Sequence, residues 1–324
     1  MKNLKYTYSQ LSSDSVCHEA SLHYELSNVA NCKFYVLGLH DNYLIDCEDE
    51  KYFLRIYRND WRSPQEIQFE LELLTYLDAK GVSAGIPLAT KAGKLSFSID
   101  SPEGKRTAAL FSYADGHAPG NKISVEESAL LGKTIANVHQ VTETFETNSV
   151  RQMLDIPYLL DASILAMKPF IDAEALGYIT SLQSKLNDTA PTLPKEAGVF
   201  GICLGDVNPT NFHINDRKEI TLFDLDQCGY GYRSFEIGKF ISSVHASHMK
   251  GAVADAFLKG YQQLRQLSNE ELLAIPYFEI LSVIWVTAIH AYNVDRIGHK
   301  YLEKPFWDRR LAILKELDDK NFAD

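Results

Sequence analysis

The 324-residue sequence is poor in three things, and each scarcity excludes a class. It has no excess of basic residues: 43 Asp and Glu outnumber 32 Lys and Arg, a formal charge of −11. Proteins that bind nucleic acid usually present a basic field, so no nucleic-acid partner is expected. It has only five cysteines, at positions 17, 32, 47, 203 and 228, an odd count with no C-x-x-C pair. A reduced, cytoplasmic protein is the simple reading. It also lacks long apolar runs. The most apolar segment, Ile280–Ala288, is closely bracketed by Glu279 and His290. No stretch approaches the roughly 18 residues that span a bilayer, and the first ten residues hold no signal-like apolar run. No membrane partner is expected.

What is present is ordinary globular composition, 45% apolar and 23% charged. That excludes a mostly disordered chain, a collagen and a coiled-coil rod. A chain of this length predicts two domains, or one large unit in two lobes, with cores that need no disulfide or zinc staples. An acidic protein can still bind a nucleotide through a metal ion and one local cation. A cationic or zwitterionic co-substrate also suits it.

The first third reads as strands around one helix. Phe34–Leu39, Tyr43–Cys47 and Tyr52–Tyr57 are aromatic and branched runs separated by turn clusters, which predicts three antiparallel strands. Ser63-Pro-Gln-Glu66 then supplies an N-cap, a Pro at the first helical position and a Glu three residues past the cap. Ile67, Leu71 and Leu74 mark the buried face of the helix that follows, and Glu70 shares that face. A carboxylate there needs a partner. Two further strands are predicted at Leu95–Ile99 and Ala108–Tyr113. The turn-rich Asp115–Asn121 suggests a boundary, dividing the chain into 1–114 and 115–324.

Beyond it helical patterns dominate. Ser124 and Glu127 form another capping box, ahead of Leu131, Ile135, Val138 and Val141. A helical pattern resumes over Ile164–Leu186. Gly198–Leu204 reads as a short strand, Phe212–Asn215 with Ile220–Phe223 as a hairpin, and 234–324 as helical.

The informative stretch is Leu204-Gly-Asp206, Asn211, and then Asp224 and Asp226 at the end of that hairpin. Hard oxygen ligands from Asp and Asn suit magnesium, which keeps water and phosphate oxygens in its shell. A carboxylate not consumed by the metal can accept a hydroxyl proton. D-x-x-x-x-N followed by a metal-binding Asp is the arrangement of protein kinases.

Leu204-Gly-Asp206 with Asn211 resembles the H-G-D-x-x-x-x-N loop of aminoglycoside phosphotransferases and their relatives, the choline and homoserine kinases. Phe223–Gly238 is similar to that family's metal-binding D-x-D segment and the helix after it. Phe53–Arg58, Glu70–Leu74, Leu110–Gly116 and Gly132–His139 match in order. The resemblance spans roughly residues 30–300, and its closest flavour is the branch of stress-response Ser/Thr kinases and homoserine-kinase-like proteins. It implies an α+β, two-lobed, protein-kinase-like fold: an antiparallel sheet plus helix to about Ala114, then a larger helical lobe, with ATP between them. It also implies roles. Asp206 is the catalytic base or substrate-orienting carboxylate. Asn211 and Asp224 hold Mg2+, and Asp226 is a further candidate for metal or substrate. Arg55 stands where the family more often has the Lys that touches the nucleotide phosphates, oriented by Glu70. Ser112 to Ala114 bind adenine through their backbone.

Two departures stand out. Leu204 replaces the usual His and cannot reproduce its hydrogen bonds, so a looser loop is expected. Arg55 keeps the charge as a planar fork, which alters phosphate geometry. The first hairpin also lacks a G-x-G-x-x-G run. Against these roles stand plainer ones. Asp206, Asn211 and Asp224 are residue types that also simply form turns, and Arg55 with Glu70 also reads as a structural ion pair. His245 and His248, at i and i+3, read as a solvated helix face, since no third metal ligand is apparent. Cys203 and Cys228 read as packing residues, and Trp285 as core. His290 and Asn293 are candidates for an acceptor pocket.

The expected function is ATP- and Mg2+-dependent transfer of the γ-phosphate to a hydroxyl of a small polar acceptor: an amino alcohol, a homoserine-like molecule, a sugar or an aminoglycoside. The alternatives are a Ser/Thr protein kinase of the stress-response type and a nucleotide-binding pseudokinase module. Oligomeric state is not legible in the sequence.

Overall fold

Runs rich in aromatic and branched residues build an antiparallel sheet from β1 (Val29–Leu37), β2 (Asp41–Cys47), β3 (Lys51–Ile56), β4 (Phe97–Ser101) and β5 (Gly104–Ser112), in the order β1-β2-β3-β5-β4. The computed structural model describes residues 5–322. Because side chains alternate across a pleated strand, Tyr43, Ile45, Leu54, Ile56, Ala108 and Leu110 fall on one face. They pack there against Val16 and Ala20 of helix α1 (Ser13–His23) and against Tyr24 just past it. Arg55, paired in register with Asn42 and Ala109, belongs to the opposite face. Helix α2 (Pro64–Ala79) supplies Glu70 to that face, and Ser63 and Glu66 form the predicted capping box at its start. Helix α1 corrects the expectation of a single helix in this third. Five of its eleven residues are exposed, four are half-buried and only Val16 and Ala20 are buried, so it carries little apolar periodicity.

The chain divides into two compact units. The first holds the residues up to Asp115 together with Glu146–Arg151 and Thr221–Phe223; the second holds the remainder. The second unit contains α3 (Val125–Val141), α4 (Ser163–Met167), α5 (Ala173–Asp188), β6 (Phe200–Cys203), β7 (Phe212–Ile214), the start of β8 (Ile220–Leu222), β9 (Gly229–Tyr232), α6 (Arg233–Ala246), α7 (Gly251–Gln262), α8 (Asn269–Tyr292), α9 (Val294–Ile297) and α10 (Lys304–Phe322). Strands β6 and β9 pair antiparallel, and β7 and β8 form the expected hairpin. The N-terminal antiparallel sheet and the mostly helical remainder agree with the α+β class read from the sequence.

Helices α3 and α7 touch through backbone. A Cβ on Gly132 would lie 2.0 Å from the carbonyl oxygen of Phe257, so no larger residue fits there without separating the two helices. At the centre of this unit Phe278, Leu281, Ile284 and Trp285 of α8 pack with Phe235, Leu182 and Leu314. Helix α8 also corrects the reading of apolar runs. It has 24 residues and a window of mean hydropathy 2.0, long and apolar enough to cross a membrane. Yet 72% of that window is buried inside the protein, as in a core helix.

Candidate functional site

Strand β6 ends at Cys203 and delivers Leu204, Gly205 and Asp206 into a loop. Gly205 has φ of 81°, and a Cβ there would lie 2.1 Å from the carbonyl oxygen of Gln227. Only glycine accepts both the left-handed backbone and that approach. Glu236, in the first turn of α6, accepts the N–H groups of Leu204 and Gly205, the latter at 2.9 Å. Leu204 itself is buried. The backbone that the absent imidazole would have supported is thus tied down by a carboxylate from α6.

Burial pushes the Glu236 carboxyl up to about 7, against the two amide donors, which favour its charged form. His139 lies behind it, with Nε2 3.5 Å from Glu236 Oε2 and Nδ1 2.7 Å from the Tyr261 hydroxyl. Burial, reinforced by Arg233 and Arg265, holds this imidazole well below the usual histidine range, so it is neutral at physiological pH. His139, Cys203 and Glu236 bring their ligand atoms within 4.8 Å of one another. Cys203 is fully buried and its thiol is pushed well above the ordinary range, first by burial, so it stays protonated. With Glu236 engaged by two amides and His139 by Tyr261, this cluster is polar packing beneath the loop.

Asp206 emerges from that support with a third of its side chain exposed. Its Oδ2 accepts from Asn211 Nδ2 at 2.9 Å, and its Oδ1 is 2.7 Å from Lys239 Nζ. Asn211 Nδ2 and Asn208 Nδ2 also donate to the Asp206 carbonyl, at 3.0 and 3.1 Å. Asn211 therefore turns its amide nitrogen to Asp206 and its carbonyl oxygen, which accepts only a long 3.4 Å contact from the Thr210 hydroxyl, is the atom suited to a cation. Asn211 directly precedes β7 and Asp224 follows β8, so the two leave the hairpin at the same end. Asp224 is exposed and occupies the left-handed region, with φ of 61°. Asp226 is buried and accepts from Gln227 Nε2 at 2.9 Å.

In the first unit Arg55 Nη1 donates to Glu70 Oε1 at 3.1 Å, and Tyr57 donates to Glu70 Oε2 at 3.2 Å. Asn42 Oδ1 accepts from Arg55 Nε at 3.4 Å. The guanidinium lies 5.7 Å from the Phe111 ring centre. Ser112 donates its N–H to the Ile86 carbonyl at 2.9 Å and accepts the Ile86 N–H on Oγ at 3.0 Å. The N–H and hydroxyl of Ser112 are therefore both taken by Ile86, and the buried Ala114 follows two residues on.

His290 and Asn293 sit at the C-terminal end of α8. His290 Nδ1 is 3.0 Å from the Val286 carbonyl, and its ring lies 5.1 Å from Phe306. Burial lowers its proton affinity. Asn293, also buried, donates to the Ile289 carbonyl at 2.6 Å. Trp285 is core, edge-on to Phe235. His245 is more than a solvated residue: its ring meets the buried Glu279 of α8.

Residues 36–271 match the family model described as the Phosphotransferase enzyme family. The chain belongs to that family. An uncharacterized protein of Synechocystis is 33% identical over 312 residues, covering 96% of this chain and 86% of its own length. A homoserine kinase of Paramagnetospirillum magneticum is 23% identical, over 83% of this chain and 82% of its own. Two solved structures share the fold. A microcompartment-associated aminopropanol kinase superposes with a TM-score of 0.80 at 18% identity, covering 94% of this chain and 97% of its own. An amicoumacin kinase in complex with AMP-PNP and Ca2+ superposes with a TM-score of 0.79 at 22% identity, covering 96% and 94%.

The protein is therefore a phosphotransferase, as the resemblance in its sequence implies. Two residues of this phosphotransferase carry weight that sequence reading did not assign. Glu236 was legible only as part of the segment after Asp226. Lys239, three residues further along α6, is a cation in a helix whose residues from Arg233 to Phe240 are all buried. Its helical neighbours Glu236, Ser242 and Ser243 are polar, so no apolar face marked it in the sequence as one marked Glu70.

Proposed function

We propose that this phosphotransferase moves the γ-phosphate of ATP to a hydroxyl of a small polar molecule, with Asp206 receiving the hydroxyl proton. The observation that carries this reading is the Asp206 carboxylate: partly exposed, and held on both oxygens by Asn211 and Lys239. As the acceptor oxygen bonds to phosphorus, the bond to the ADP oxygen breaks, ADP leaves with that electron pair, and the acceptor proton passes to Asp206. General-base assistance of this kind is typically worth about 10²–10⁴-fold. Asp206→Asn should cut turnover by that order and leave ATP affinity near wild type.

The donor set fits a divalent cation. Asn211 offers a carbonyl oxygen and Asp224 an exposed carboxylate, both hard ligands suited to Mg2+. When bound, such an ion offsets charge on the phosphates. Arg55, oriented by Glu70, is the proposed phosphate-facing cation of the first unit. With the Ser112 N–H paired to Ile86, the Ser112 carbonyl and the backbone of residues 113–114 are the proposed adenine contacts. The AMP-PNP and Ca2+ bound by the amicoumacin kinase support a nucleoside triphosphate with a divalent ion.

The names of the relatives, homoserine kinase and aminopropanol kinase, support an acceptor that carries both an amine and a hydroxyl. The net charge of −11 favours the same class through long-range steering. The test is ADP release from MgATP with L-homoserine, 1-amino-2-propanol, choline, a sugar panel and aminoglycosides. Stimulation by an amino alcohol supports the reading. Radiolabel found only on Ser or Thr of proteins in a lysate, with no small acceptor stimulating, replaces it with a protein kinase.

A further inference from the structure

Helix α6 presents two charged residues to the Asp206 loop from one face. Glu236 and Lys239 are three residues apart, which places them together on a helix. Glu236 takes the loop backbone at Leu204 and Gly205, and Lys239 takes the Asp206 side chain. Lys239 is an unusual choice for stability alone. Its side chain is only 5% exposed, whereas that of its partner is 32% exposed. Burying an ammonium against a half-wet loop carboxylate has a desolvation cost that the pair does not reliably recover. What the arrangement does supply is geometry. With Asn211 on Oδ2 and Lys239 on Oδ1, rotation of the Asp206 carboxylate is blocked from both sides.

We propose that Lys239 is a positioning residue for phosphoryl transfer, holding the Asp206 carboxylate in the orientation that receives the acceptor proton. The inference rests on Asp206 being the proton acceptor of the proposed reaction. Lys239 makes or breaks no bond in it. The ammonium fixes Oδ1 and keeps one positive charge beside two carboxylates, Asp206 and Glu236, where an anionic phosphoryl group must also be accommodated.

The experiment measures kcat and KM for MgATP in the full chain. L-homoserine and 1-amino-2-propanol serve as acceptors, with water where neither stimulates ADP release. The variants are Lys239→Met, Lys239→Gln, Lys239→Arg, Asp206→Asn and the Lys239→Met/Asp206→Asn double. Misplacing a reacting group by about 1 Å can cost 10²-fold. Lys239→Met and Lys239→Gln should therefore lose roughly 10–100-fold in kcat with KM for MgATP unchanged. Lys239→Arg should recover part of that loss, and the double variant should be no slower than Asp206→Asn alone. Wild-type kcat in Lys239→Met beside a slow Asp206→Asn overturns this inference and leaves the kinase reading standing. A multiplicative loss in the double variant overturns it too, as does loss of AMP-PNP binding and of the native melting transition in both neutral variants. Undiminished kcat in Asp206→Asn, or no ADP release by the wild type with any acceptor, overturns the kinase reading and this inference with it.

Discussion

Arg55 and Glu70 form an ion pair at 3.1 Å that is nearly closed to water, joining a central strand to the helix that follows it. Tyr57 and Asn42 add hydrogen bonds to it. Removing one member of a buried pair typically costs about 3–5 kcal/mol, because the other charge is left behind. Glu70→Ala should therefore lower the melting temperature as well as activity. Arg55→Lys keeps a cation but not the fork, and should chiefly weaken nucleotide binding. Melting curves and calorimetry with AMP-PNP separate the two. An unchanged melting temperature in Glu70→Ala would remove the pair's structural role.

Glu236 makes stability depend on pH in an uncommon direction. Its carboxyl is pushed up to about 7 by burial, above the ordinary 4.5. Between those values the folded protein holds a proton that the unfolded chain has released. The Glu236 contribution to stability therefore falls as pH rises from about 4.5 to 7, by an amount on the order of 3 kcal/mol. In the same window the carboxylate forms that accepts the Leu204 and Gly205 N–H groups. Denaturant unfolding at pH 5 and pH 7.5 should show this component in wild type and not in Glu236→Gln. Identical pH dependence in the two proteins would refute it.

Asp224 combines exposure with a left-handed backbone, a conformation that Asp and Asn tolerate better than most residues. Asp224→Asn therefore preserves the turn and removes the charge. Magnesium-dependent ATP binding should be lost while the melting temperature stays near wild type. Unchanged binding by calorimetry in the presence of magnesium would take Asp224 out of the metal site.

His290 and Asn293 bond to the backbone of their own helix, and His290 packs on Phe306. His290→Ala removes its packing on Phe306 and should lower the melting temperature, and Asn293→Ala removes the bond to the Ile289 carbonyl. The KM of the acceptor should not move. A rise in acceptor KM with an unchanged melting temperature would place these residues in the acceptor pocket.

The elements that were legible in the sequence are those decided within a few residues. Ser63 with Glu66 and Ser124 with Glu127 cap helices through bonds three residues long, and both boxes are present as expected. The Asp206-to-Asn211 spacing closes in a single loop for the same reason. Helix α1 was missed because its few buried residues leave almost no period to read, and the sheet it covers supplies the missing apolar partner. Strand β9 was missed because Gly229 and Gly231 interrupt the alternation that marks a strand, and its pairing with β6 stands in for propensity. The partners of the Asp206 loop were hidden in another way. Glu236 binds an amide 32 residues away, and Lys239 reaches Asp206 from the same helix. Local composition sets which segments become helices and turns. Which buried charge meets which loop is decided only when the chain packs, because an ion pair needs atoms brought within about 4 Å, a condition that no spacing along the sequence specifies.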